Sequence, residues 1–167
     1  MTPISKSTKK HIKVIADFLR EKYETEQGMD WERLAEDLGI DLVKDPRVIK
    51  AYAYTIKKDE NTHQFALVPA WDFYGNLEGT IAHEIGHHVL GHLTTRKMAY
   101  IKAEAETDYL GYLIFGEERE TELTRLKILT YTNDPNIRKF ADRRDEKGCR
   151  EYLKMIYGQI IEERMVA

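Results

Sequence analysis

The sequence predicts an α+β fold: a mainly helical domain with a small sheet of about three strands and one histidine-bearing helix laid beside it. Three observations carry this. Near the N-terminus apolar residues recur at helical spacing, where Ile12, Ile15, Phe18, Leu19 and Tyr23 form one stripe. Between Ile40 and Val68 the period drops to two, with Tyr52, Tyr54 and Ile56 alternating against Ala51, Ala53 and Thr55. From Asn76 onward the segments between breaks again have helical spacing. The chain has 167 residues, 42% of them hydrophobic and 33% charged, which suits one domain, 1–167, able to bury a real core.

In chain order, residues 1–8 read as a frayed basic lead, followed by an amphipathic helix from Lys9 to about Tyr23 that Gly28 closes off. Asp30 can cap a short second helix, Trp31–Leu38, with Gly39 as its stop. A helix pair of this size suggests a DNA reader, but Arg33 is the sole cation between Tyr23 and Lys44, so the pair is scaffold. Strands are expected over 40–43, 48–56 and 64–68. Lys57–Asn61 would be a polar turn, and Pro69 ends the last strand. The edge of such a sheet can accept an extended peptide by strand addition. His63 opens the last strand and is read as solvated. Residues 69–75 form a loop holding Trp71, Phe73 and Tyr74, followed by a helix from Asn76 to about Leu90. Residues 94–100 connect to another helix, about Ile101–Phe115. Residues 117–131 begin with an acidic run suited to a helix N-terminus. Pro135 starts a short helix, and the cations Arg138, Lys139, Arg143 and Arg144 are interrupted by acids and form a solvated face. A final helix runs from Gly148 to about Arg164, with Leu153, Ile156, Tyr157, Ile160 and Ile161 facing inward or toward a partner.

The chemistry concentrates in Thr80-Ile81-Ala82-His83-Glu84-Ile85-Gly86-His87, which contains His-Glu-x-x-His. Residues i and i+4 of a helix share a face, so His83 and His87 can grip one metal ion from one side. Glu84 is turned about 100° from His83 and can reach a water at that ion. Zinc with an open coordination place acidifies such a water, and a glutamate takes the proton as the nucleophile forms. The flanking Ile81, Ala82, Ile85, Val89 and Leu90 imply a buried helix. Buried there without an ion, two histidines and a glutamate would need other partners.

A catalytic zinc site takes a third protein ligand, and the nearest acids after the motif are Glu104, Glu106 and Asp108. Glu104 and Asp108 share a helix face. Glu104 is the expected ligand, and Asp108 the acceptor of the outer N–H of a zinc histidine. Glu106 points largely away and is the alternative third ligand. Tyr109 can donate to an oxyanion or pack in the core. His88 and His92 stand about 100° from the zinc pair and are read as lining the cleft or exposed, not as ligands.

Here the chain resembles the ImmA/IrrE family of bacterial and phage zinc metallopeptidases, which are HExxH, gluzincin-like enzymes. The matching text is Thr80–His87, then Leu90-Gly91-His92, then Glu104-Ala105-Glu106-Thr107-Asp108-Tyr109-Leu110, with Leu34–Ile40 similar to an earlier family stretch. The resemblance covers about residues 10–116. Where the family often has a phenylalanine-alanine pair and a proline after the ligand helix, this chain has Leu110-Gly111 and Gly116-Glu117. Residues 117–167 match no pattern and are set apart as a helical C-terminal extension. The resemblance implies a zincin-like peptidase core and, as in studied members, site-specific cleavage of a helix-turn-helix repressor of a phage or mobile element.

The expected activity is zinc-dependent hydrolysis of a peptide bond, with Glu84 as general base and His83, His87 and Glu104 on the metal. The alternative is a catalytically silent peptidase-like binding module of the anti-repressor or toxin-antitoxin type, with structural zinc; a fourth protein ligand would favour it. A weaker third option is hydrolysis of a non-peptide amide. A net charge of −3 gives no general attraction to nucleic acid or anionic membrane. There is no run of eighteen apolar residues and no signal-peptide core, so neither a membrane span nor export is expected. A single cysteine, Cys149, agrees with a reducing cytoplasm. With no histidine after His92, a catalytic thiol there has no base near it in sequence.

Overall fold

The computed structural model describes residues 4–71, 77–94, 99–116 and 134–166. The helix expected over 117–131 and the aromatics Phe73 and Tyr74 lie outside them, and Trp71 is exposed. The elements are α1 (Lys6–Tyr23), β1 (Glu24–Thr25), β2 (Gly28–Met29), α2 (Trp31–Asp37), β3 (Ile40–Asp45), β4 (Tyr52–Lys58), β5 (Asn61–Pro69), α3 (Leu77–Val89), α4 (Tyr100–Phe115), α5 (Pro135–Asp142) and α6 (Glu146–Val166). The fold is the α+β one expected from the sequence.

The sheet has the order β3-β5-β4, with β5 in the middle, parallel to β3 and antiparallel to β4. Side-chain alternation then sorts its two faces. Ala66 and Val68 share one face with their β3 partners Leu42 and Lys44 and with Ile40 opposite Gln64. This face meets α1, α2, α3 and α4 in one core built on Ile12, Leu19, Trp31, Leu34, Ile81, Ile85 and Leu110. Phe65 and Leu67 point the other way, beside Val43, Tyr52 and Tyr54. They are covered by Tyr157, Ile160 and Ile161 of α6. The segment read as an extension therefore supplies the layer that closes the outer face. Each large side chain buried this way is worth roughly 1.5–3 kcal/mol.

Local chemistry sets the boundaries. Ser5 caps α1 by accepting from Thr8 N at 3.1 Å, so the helix starts at Lys6, within the stretch expected to fray. Asp30 caps α2 as expected, and Gly39 follows it with φ +67°. The turn between β4 and β5 is tighter than expected. Only Asp59 and Glu60 lie outside the ladder, both with positive φ, so Lys57 and Lys58 pair with Thr62 and Asn61. Strand β4 begins at Tyr52 and not at Val48. Residues 46–51 instead cross the end of the sheet, with Val48 buried and the Ile49 and Lys50 amides donating to Tyr157 Oη at 3.1 and 3.0 Å. Tyr157 in turn donates to Lys50 O at 2.9 Å. A long-range clamp of this kind leaves no periodic trace in the sequence.

Pro135 opens α5 as expected, and the exposed side chains of Arg138, Lys139, Arg143 and Arg144 match a solvated face. The last helix starts earlier than expected, at Glu146, because Asp145 caps it by accepting from Gly148 N at 2.9 Å. A Cβ at Gly148 would collide with that same carboxylate and with Phe140. No helix among the described residues is long and apolar enough to cross a membrane.

Candidate metal centre

Helix α3 is anchored in the inner core by Ile81, Ala82 and Ile85, which turns His83 and His87 toward α4. The two helices approach closely at Gly86. A Cβ there would lie 2.8 Å from Thr107 Cγ2, so glycine is what lets α4 bring its acids up to the histidines.

Three of the predicted residues converge. His83 Nε2 lies 3.1 Å from Glu104 Oε2, His87 Nε2 lies 3.1 Å from Glu104 Oε1, and the two Nε2 atoms are 3.1 Å apart. Among the described residues these three form the one group of His, Cys, Asp and Glu arranged to hold a metal ion. The fit can be tested on distances. Ligand atoms about 2.0–2.1 Å from a tetrahedral zinc stand about 3.3 Å from each other, close to the Nε2–Nε2 edge and to the edge from each histidine to its own Glu104 oxygen. The donor set, two imidazoles and one carboxylate, also suits zinc.

The side chains alone make a strongly coupled cluster. Burial would push the His83 pKa down. Contacts with Asp108 and Glu104, together with the charge on Glu84, outweigh this and raise it to about 10. Burial likewise opposes ionisation of Glu104, but the imidazoles of His83 and His87 facing it hold its pKa down at about 2. A carboxylate kept ionised between two imidazoles is ready for a cation. Glu84 is buried beside them, and that burial pushes its pKa up to about 7 against the pull of His83 and His87.

The remaining predicted residues lie around this cluster in different roles. Asp108 Oδ1 comes within 3.3 Å of His83 Nδ1, on the outer side of the ring, where the sequence placed an acceptor. The contact does not reach hydrogen-bond geometry, and His83 Nδ1 is the buried side-chain polar atom left without a hydrogen bond among the described residues. Glu106 is buried and turned to His92, 3.1 Å from its Nε2, and is not in the ligand group. Tyr109 packs at the edge of the inner core, with Lys9 of α1 5.5 Å over its ring. His88 bridges to the sheet through Gln64 Oε1 and Phe65 O, at 3.1 and 2.9 Å.

His92 corrects an expectation. It stays outside the ligand group, as expected, but its side chain is only 2% exposed and does not face solvent. Its Nδ1 sits 3.0 Å from His87 Nδ1. The turn after α3, with Gly91 at φ +72°, brings it back under the helix, which a helical projection past Val89 cannot anticipate. Gly86 and Thr107 were also not singled out from the sequence. The only signal for either was a small residue and a hydroxyl lying within the two motifs.

Compared with family models, with curated proteins and with solved structures, the chain finds no match in any of the three.

Proposed function

We propose that the chain is a zinc-dependent metallopeptidase that hydrolyses a peptide bond, of the ImmA/IrrE type. The observation that supports it most is the set of three 3.1 Å edges joining His83, His87 and Glu104, with a buried carboxylate, Glu84, next to them. Bound there, zinc supplies a Lewis acid that polarises the scissile carbonyl and acidifies water. His83, His87 and Glu104 hold the ion. Glu84 takes a proton from the attacking water and passes it to the leaving amine nitrogen, for which a pKa near 7 is well matched. Asp108 steadies the His83 ring from outside. The group contains three protein ligands and no fourth among the described residues. That count favours a catalytic ion over the structural one of a binding module. His87 and Glu104 keep some exposure, which gives substrate a way in. The motif resemblance supports a protein or peptide substrate, with a helix-turn-helix repressor the first to try, and the single cysteine agrees with a reducing cytoplasm.

The experiment is to load the protein with zinc, incubate it with repressors and unstructured peptides, and look for a discrete cut by mass spectrometry. The Glu84→Gln variant should keep stoichiometric zinc and lose roughly 10²–10⁴-fold in rate. Undiminished cleavage by that variant, or a wild-type protein that takes up no zinc, would sink the proposal.

A further inference from the structure

Behind His87, on the side away from Glu104, lies a second buried polar group whose hydrogens can be counted. Thr107 Oγ1 donates to Ala103 O at 2.9 Å, which uses its only hydrogen. Towards His87 Nδ1 and His92 Nδ1, at 3.4 and 3.3 Å, it can therefore only accept. Those two nitrogens are 3.0 Å apart, so one carries a hydrogen and the other receives it. At its far end His92 presents Nε2 to Glu106 Oε2 at 3.1 Å, and an ionised carboxylate accepts and never donates. Lys102 Nζ lies 3.8 Å from the other oxygen.

One arrangement of a neutral His92 satisfies every atom on this side of His87. His92 carries its hydrogen on Nε2 and gives it to Glu106. Its Nδ1 is then bare and accepts the Nδ1 hydrogen of His87. His87, having one ring hydrogen and holding it there, leaves Nε2 bare on the side of His83 and Glu104. We infer that His92, oriented by Glu106, is a positioning residue that fixes the tautomer of His87 and so presents Nε2 as a metal ligand. The inference rests on the metal centre proposed above and adds a Glu106–His92–His87 line that sets how strongly the centre binds.

The test uses the full chain and zinc alone. In ¹⁵N-labelled, zinc-loaded wild-type protein, long-range ¹H–¹⁵N spectra should show His87 protonated at Nδ1 and His92 protonated at Nε2 only. Zinc affinity is then measured by competition with a chromogenic chelator. His92→Leu removes the acceptor and should weaken binding about 10–100-fold. His92→Gln should stay close to wild type, because its amide oxygen can accept from His87 while its NH₂ donates to Glu106. A general packing role would make both variants equally weak. Circular dichroism of the zinc-free proteins checks folding. If His92→Leu does not fold, the wild-type spectra and the Gln variant decide. His92 protonated at Nδ1, or a folded Leu variant with wild-type affinity, overturns the inference. In that event a His87→Ala variant that has lost zinc would leave the metal centre itself standing. Wild-type protein that binds no zinc removes the centre and not merely this refinement.

Discussion

The two sides of the sheet are built on opposite principles. The outer side is apolar: Tyr157, Ile160 and Ile161 press on Val43, Phe65 and Leu67, and charges stay at the rim, where Arg47 pairs with Glu163 and Arg164 with Asp41. On the inner side an equally apolar core runs into a seam between α3 and α4 that gathers three histidines, four carboxylates and a threonine hydroxyl. The first side needs only area removed from water. The second buries charge at a cost and recovers it through mutual contacts, an arrangement that is weak evidence for stability and good evidence for a site. Stability and function should therefore separate when the two are perturbed.

The largest effect is expected at the seam. His87→Ala should reduce zinc affinity by more than about 100-fold, beyond what an outer partner costs, read by chelator competition. Its zinc-free melting should change far less than its metal content; retained stoichiometric zinc would break the contrast. On the other side, Ile160→Ala opens a cavity in the outer core and should cost roughly 2–5 kcal/mol in urea unfolding, with the zinc affinity of the folded protein unchanged.

Next comes pH. With the His83 pKa raised to about 10, the ion must displace a proton from it across the neutral range. Zinc affinity should therefore climb with pH, by up to about tenfold per unit between 6 and 9. In zinc-free protein the sign reverses. A histidine whose folded pKa lies above its ordinary value contributes stability that is complete below about 6.5 and disappears as pH rises through about 10. Affinity flat with pH would contradict the coupled cluster. The smallest effect is expected at the rim. Arg164→Ala, at a half-exposed pair with Asp41, should cost less than about 1 kcal/mol by the same unfolding measurement, and less again in high salt.

Much of this was legible in the sequence because it is local. A four-residue spacing puts His83 and His87 on one face, and a second i, i+4 pair puts Glu104 and Asp108 on another, whatever the rest of the chain does. Caps at Asp30 and Gly39 follow from single residues. The start of β4 was misplaced because Val48 is apolar and buried like a strand residue, yet its segment is held by a tyrosine more than a hundred residues later. His92 was misread for a related reason. The left-handed glycine before it reverses the chain, so helical geometry no longer says where its ring points.

What the sequence by itself determined was the class of fold, the run of helices around a short β region, and the identity of the residues able to share an ion, since periodicity and spacing are properties of neighbouring residues. Which carboxylate meets the histidines, which histidine stands behind His87, and that α6 covers the sheet were decided only when distant segments packed. Glu104 and Glu106, two positions apart, look to different sides of α4, so which of them meets His83 and His87 is set by how α4 is turned against α3, and the turn of one helix against another is written in no single stretch of chain.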